Sequence, residues 1–349
     1  MGIPSLQPVA GAPADVVPLL RAWLDAEAEP EPLVVRTSGS SGRPKDVVLS
    51  RRAVTSSARA THARLGGPGR WLLDLPVTAV AGLQVLVRSL LAGTEPVVAA
   101  DHPDLASAVG ALGTGGARAY ASLVPTQVHR LVRDGQVGVL AALDALLVGG
   151  AGMPVRLRQA CADAGVNVVR TYGMSETAGG CVYDGVPLDG VAVRIDADHG
   201  VHLAGPVLFD GYGGDPDRTA AVLRDGWFAT DDLGELDLDG RLRVLGRSDD
   251  VVVSGGVNVS LPAVTEALLA VDGVADALAV GVPDEEWGTR VVACVVGAAP
   301  LTTLRDAVEA SGLPRAWGPR AVVALDALPL LPGGKVDRVA LRALAAGAG

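Results

Sequence analysis

Five short apolar runs, at 71–75, 95–99, 118–123, 145–149 and 166–170, alternate with stretches of helical periodicity at 79–92, 103–112, 125–134 and 154–164. A helix between two strands carries the chain back to its starting end, so successive strands of this kind line up in parallel. The pattern predicts a mainly parallel sheet covered by helices. Upstream, a helix is expected at 14–26, short strands at 32–36 and 47–49, and a helix from the N-cap Ser50 to about Arg64. From Gly190 the character changes to short β segments and Gly/Asp turns, with a two-residue hairpin signal at Asp239-Gly240 inside the alternation Leu236 to Leu245. Arg247-Ser248-Asp249-Asp250 then interrupts the apolar pattern. The tail beyond it reads strand (251–253), helix (262–271), strands (274–281 and 290–297), helix (302–310), strand (320–325) and a short terminal helix. The expected fold class is α/β. A large N-terminal domain, 1–247, carries the helix-covered sheet and a small β-rich part; a small α+β domain, 248–349, follows, with the boundary at Arg247 to Asp249.

Between the two short strands near the N-terminus lies Thr37-Ser38-Gly39-Ser40-Ser41-Gly42-Arg43-Pro44-Lys45. Gly39 and Gly42 carry no Cβ, so backbone N–H groups can approach an anion closely. The Ser and Thr hydroxyls add donors, and Lys45 adds a point charge. This is chemistry for holding a polyphosphate, although the loop alone is equally compatible with a flexible Ser/Gly linker. It is not a P-loop, because Arg43 and Pro44 separate Gly42 from Lys45. Of the 29 Lys and Arg residues only two are lysine, Lys45 and Lys335, and both sit in Gly- and Pro-containing loops. An ammonium with a titratable proton does not interchange with a guanidinium, so both lysines read as chemically required.

Composition removes several function classes. The net charge is −10 with both signs interspersed and no basic stripe, which disfavours nucleic acid as a partner. Cys161, Cys181 and Cys294 show no metal-ligand spacing and cannot form a disulfide framework, which fits a reducing cytoplasm. No signal peptide is visible. The most apolar long segment, 71–93, is broken by Asp74, Pro76, Gln84 and Arg88, so no membrane span is expected. A soluble protein follows, with a core of mostly Ala, Val and Leu given 3% aromatics. A homo-oligomer is left open. His199 and His202, in a turn-and-strand segment, read as ordinary surface residues.

Five stretches in fixed order carry a resemblance: TSGSSGRPK at 37–45, TYGMSET at 171–177, GWFATDDLGELDLDGRL at 226–242, GRSDDVVVSGGVNVS at 246–260 and LPGGKVDR at 331–338. Together they resemble the acyl-adenylate-forming superfamily of acyl-CoA synthetases, luciferases and adenylation domains, over about residues 33 to 345. Within it the chain looks most like the short actinobacterial o-succinylbenzoate–CoA ligases of menaquinone biosynthesis, through 75–93, 121–131 and 171–191. Three departures stand out. The phosphate loop starts at residue 37, so most of a common N-terminal subdomain is missing. The family's TGD reads Thr230-Asp231-Asp232, and the histidine often found before the pocket helix is Ala79.

The resemblance implies ATP, Mg²⁺ and coenzyme A, and it assigns roles. Thr37, Ser38, Gly39, Ser40, Ser41 and Gly42 with Lys45 would hold the β- and γ-phosphates. Glu176 would coordinate Mg²⁺, after Thr171, Tyr172, Gly173, Met174 and Ser175, with Ser175 on the α-phosphate. Gly149, Gly150 and Ala151 would form the adenine wall, and Asp232 with Arg247 would hold the ribose. Lys335 would bridge the attacking carboxylate and the α-phosphate. Arg88 would face the ring carboxylate of the acid, in a pocket shared with Ser122 and Thr171. The small domain would rotate about Asp249, and Gly255, Gly256 and Asn258 would line a coenzyme A tunnel. The other readings are an acyl- or aryl-CoA synthetase of different specificity, a carrier-dependent adenylating enzyme, and an inactive nucleotide-binding relative.

Overall fold

The computed structural model describes residues 6–37, 45–113, 116–330 and 336–347, apart from the Asp249 side chain. The expected alternation is present. Strands Gly69–Leu73, Val97–Val98, Arg118–Leu123, Ala145–Val148 and Val168–Met174 are separated by helices Val80–Leu91, Leu105–Leu112, Pro125–Arg133 and Val155–Asp163. These strands pair in parallel in the order Val97–Val98, Gly69–Leu73, Arg118–Leu123, Ala145–Val148, Val168–Met174. Gly179–Tyr183 and Val186–Pro187 then extend the sheet antiparallel.

Side chains alternate across a strand, so each strand feeds two cores. Leu72, Ala121, Leu146 and Val148 join Val109 and Leu112, Val128, and Leu157 and Cys161 of the last three helices in one buried cluster. Trp71, Leu73, Tyr120 and Ser122, one position out of step, point to the other face. There helix Val80–Leu91 packs on Gly69–Leu73, Arg118–Leu123 and Gly179–Tyr183, and helix Arg51–Arg64 packs on it. Ser50 caps that helix, accepting from the Ala53 N–H. A separate three-stranded sheet, Leu33–Thr37, Lys45–Leu49 and Gly211–Tyr212, sets Thr37 opposite Lys45.

Contacts divide the chain into two units, one made of 1–196, 202–230 and 236–242, the other of 197–201, 231–235 and 243–349. A five-stranded sheet runs in the order Ala192–Ile195, Gly200–Ala204, Trp227–Leu236 and Leu223–Arg224, with Leu242–Arg247 on Trp227–Leu236. In the second unit Val257–Ser260, Val251–Ser254, Gly288–Gly297 and Val274–Asp284 form a sheet, joined in parallel by Ala321–Leu325. Helices Leu261–Leu269 and Leu301–Ala310 pack in one buried cluster of this unit, and helix Arg338–Ala346 in another.

Three expectations need correction. The run at 95–99 contains only the two-residue strand Val97–Val98, because Pro96 has no N–H to donate to a ladder. The Asp239-Gly240 turn is wider than two residues: the strands stop at Leu236 and resume at Leu242. Asp237 Oδ1 accepts from the N–H groups of Asp239 and Arg241, which stabilises the longer loop. Strand Val257–Ser260 was not anticipated; Gly255 and Gly256, at φ 57° and 79°, make the tight turn that folds it onto Val251–Ser254.

Candidate active site

The first unit places Lys45 at the start of its strand, beside Tyr212 of the neighbouring strand and facing Glu176. Glu176 lies in a single 3₁₀ turn, Ser175–Thr177, at the end of strand Val168–Met174. Thr177 holds that turn: its hydroxyl accepts from the Met174 N–H at 2.9 Å and donates to the Gly179 carbonyl at 2.7 Å. Ala178 follows at φ 48°, a left-handed conformation that costs a non-glycine residue on the order of 1–2 kcal/mol. The side-chain amide of Gln84 donates to the Ala178 carbonyl and fixes the strained peptide to the pocket helix.

Glu176 is only 7% exposed. Its Oε1 accepts from the Tyr212 hydroxyl at 2.9 Å and has Lys45 Nζ at 3.7 Å, an ion pair rather than a hydrogen bond. Lys45 Nζ also lies 5.3 Å from the Tyr212 ring centroid. This donor set suits a hard divalent cation that keeps substrate phosphates as its other ligands. It does not suit an all-protein cage: among the described residues no group of three or more His, Cys, Asp or Glu could hold a metal ion.

Past strand Ala145–Val148, Gly149 and Gly150 present no side chains. A Cβ on Gly149 would stand 2.2 Å from Thr171 Oγ1, and one on Gly180 would stand 3.2 Å from Thr171 Cβ. Thr171 is thus held between two glycines. Residues 171–175 are half-buried, and Gly150 and Ala151 are exposed.

The wall formed by helices Arg51–Arg64 and Val80–Leu91 is unusual for an apolar core. Arg88 is 3% exposed, and its Nε has no hydrogen-bond partner. Its guanidinium stacks 4.8 Å from the Trp71 ring centroid, and burial pulls its pKa down. Ser57 Oγ, His62 Nε2, Trp71 Nε1, Gln84 Oε1 and Ser122 Oγ, on the same face, are buried without partners as well. Buried polar atoms are normally satisfied, so such a concentration on one face is unusual. Ala79, at the start of the pocket helix, supplies no side-chain cap.

His62 shares this wall, and burial, helped by the Arg88 charge, pushes its imidazole down to about 4. The unfolded chain, with His titrating near 6.5, then binds more protons than the folded one between about pH 4 and 6.5. Stability is full above that window and falls as pH drops through it. The expected loss by pH 4 is about 2–3 kcal/mol. Urea midpoints at pH 7.5 and pH 5 should move further apart for the wild type than for His62→Gln; equal differences would remove His62 as the cause.

The other expected site residues divide by unit. In the second, Arg247 Nη2 donates to Asp231 at 3.0 Å, next to the expected ribose acceptor Asp232. Gly255 and Gly256 form the turn already described, and a Cβ on Gly255 would meet the Trp287 ring at 2.8 Å. Asn258 lies exposed on the following strand. Ser38, Gly39, Ser40, Ser41, Gly42 and Lys335 lie outside the described residues, as does the Asp249 side chain. Tyr212, Thr177 and Gln84 were not anticipated as site residues. Thr177 stood within the quoted TYGMSET stretch, whereas Tyr212 had no local signal.

Two family models match: AMP-binding enzyme over residues 27–209, and AMP-binding enzyme C-terminal domain over residues 263–335. The chain belongs to the AMP-binding enzyme family. A probable 2-succinylbenzoate–CoA ligase of Mycobacterium tuberculosis is 46% identical over 323 residues, covering 88% of this chain and 83% of that one. A 2-succinylbenzoate–CoA ligase of Bacillus cereus is 32% identical over 77% of this chain and 60% of its own length. Among solved structures, the Bacillus subtilis o-succinylbenzoate CoA synthetase with its acyl-adenylate intermediate superposes with a TM-score of 0.77 at 28% identity, covering 89% of this chain and 68% of that one. The same synthetase with ATP and magnesium gives 0.75 at 27% identity, covering 88% and 69%. These relatives of the AMP-binding family agree with the fold class expected from the strand–helix alternation. Among the described residues no helix is long and apolar enough to cross a membrane.

Proposed function

We propose that the protein is an AMP-forming o-succinylbenzoate–CoA ligase acting in menaquinone biosynthesis. It joins the succinyl carboxylate of the acid to the α-phosphate of ATP, releases pyrophosphate, and passes the acyl group to the thiol of coenzyme A. The observation that carries the choice of acid is Arg88. A buried guanidinium whose Nε finds no acceptor is costly unless a ligand anion completes it. The second, ring-borne carboxylate of o-succinylbenzoate is such an anion, and Ser122 and Thr171 are assigned to the same acid pocket.

Lys45 and the loop from Thr37 to Gly42 bind the β- and γ-phosphates. Gly149, Gly150 and Ala151 leave room for adenine, Ser175 donates to the α-phosphate, and Asp232 with Arg247 binds the ribose. Glu176, held by Tyr212, takes a Mg²⁺, which when bound neutralises phosphate charge. The motif around Lys335 assigns it the bridging position between the attacking carboxylate and the α-phosphate, where an ammonium offsets anion–anion repulsion. The domain division at 247/248 and a rotation about Asp249 between half-reactions belong to the same proposal. So does the cytoplasm as its compartment, where ATP and coenzyme A are at hand.

ATP–pyrophosphate exchange driven by a panel of carboxylic acids tests the reading. Exchange with o-succinylbenzoate and consumption of coenzyme A are expected. Exchange with none of the acids would leave an inactive relative, and exchange without coenzyme A consumption would leave a carrier-dependent enzyme. Lys335→Ala should lower adenylate formation about 10²-fold and largely spare thioester formation from preformed acyl-adenylate. Equal losses in both steps would remove Lys335 from its role.

A further inference from the structure

A cleft of about 240 Å³ opens beside Lys45, lined by Arg36, Lys45, Asp46, Tyr212, Asp215 and Arg218. Its three cations are differently committed. Arg36 is neutralised by Asp46 through Nε and Nη2 at 2.7 and 2.8 Å. Lys45 has Glu176 at 3.7 Å. The Arg218 side chain makes no hydrogen bond or ion pair among the described residues, and its guanidinium rests 5.0 Å from the Tyr212 ring centroid. Asp215, the acid that lines the cleft beside Arg218, is occupied elsewhere: its Oδ1 accepts from the Arg218 backbone N–H and caps helix Pro216–Val222.

Tyr212 joins these groups. Its hydroxyl donates to Glu176, and its ring carries both Lys45 Nζ and the Arg218 guanidinium. A residue that orients the proposed metal ligand therefore also holds a half-exposed, uncommitted guanidinium in the same cleft as the phosphate lysine.

We propose that Arg218 binds the terminal phosphate of ATP and the pyrophosphate it becomes, with Tyr212 as the platform that keeps the guanidinium in reach. The assignment rests on the ATP site proposed above. In the adenylation step an oxygen of the acid's carboxylate forms a bond to the α-phosphorus. The bond from that phosphorus to the oxygen shared with the β-phosphate breaks, and its electron pair leaves on that oxygen. No proton moves, so the departing pyrophosphate gains a negative charge. A planar fork of N–H donors grips such a group bidentately, which an ammonium cannot do. Arg36 is unsuited to the task because Asp46 already fills its fork.

The test is ATP–pyrophosphate exchange with o-succinylbenzoate, varying pyrophosphate, in the wild type, Arg218→Ala and Arg218→Lys. The KM for pyrophosphate should rise about 10- to 100-fold in Arg218→Ala and less in Arg218→Lys. Thioester formation from preformed acyl-adenylate should be unaffected. An unchanged KM, or equal losses in both half-reactions, overturns the proposal. Displacement of a fluorescent ATP analogue by magnesium pyrophosphate, with no acid present, reads binding alone. If the wild type exchanges with no acid but Arg218→Ala weakens this displacement, the ligase reading fails and the Arg218 assignment stands. If exchange proceeds and displacement is equal in both proteins, the assignment fails and the ligase reading stands.

Discussion

Replacing Glu176 by glutamine is expected to lower adenylate formation by about 10³-fold and to raise the Mg²⁺ concentration needed for half-maximal rate. The substitution keeps the shape and an oxygen that can still accept from Tyr212, so the turn at Ser175–Thr177 retains its support. What disappears is the negative charge, the one feature a hard cation requires of this position. Lys45 would at the same time lose its partner at 3.7 Å and become a freer cation for phosphate. ATP binding without Mg²⁺ should therefore survive or tighten while turnover collapses. Single-turnover adenylation measured over a Mg²⁺ series decides the matter. A variant with the wild-type Mg²⁺ dependence would show that Glu176 only closes the turn.

Arg88→Met should behave in the opposite way to most core substitutions. It should lower kcat/KM for o-succinylbenzoate by about 10²- to 10³-fold and yet stabilise the fold by about 1–3 kcal/mol. In the free protein Arg88 is 3% exposed, its Nε is unsatisfied, and its guanidinium stacks on the Trp71 ring. Methionine fills similar space without a charge to desolvate. Activity with an analogue lacking the ring carboxylate should fall far less, because no pairing is lost with that acid. A fall in Tm together with equal losses for both acids would make Arg88 structural and would weaken the assignment of substrate.

The parallel sheet was legible because each of its strands follows a helix of the right period, and burial on both faces left near-continuous apolar runs. Strand Gly179–Tyr183 was not, since it opens with two glycines and forms only because Thr171–Met174 offers it an antiparallel edge. The chemistry of Lys45 was legible from its rarity and its loop. That of Tyr212 was not, because its role depends on a pairing with Val47 made far along the chain. Arg88 stood out as a charge inside an apolar helix, but its lack of partners is a property of packing. The glycines at 255 and 256 were visible as a pair, and their positive φ angles explain the turn there.

The three-stranded sheet that carries Lys45 has a consequence for how the protein is made. Leu33–Thr37 and Lys45–Leu49 can pair as soon as they emerge, since their contacts are local. The third strand, Gly211–Tyr212, is synthesised only after the whole parallel sheet, and Glu176 must already be in its turn to receive the Tyr212 hydroxyl. Contacts of such long sequence separation carry a loop-closure cost and form late. A ribosome-bound chain ending before Gly211 would thus present the lysine hairpin without its tyrosine, and nucleotide binding would begin only as that strand docks.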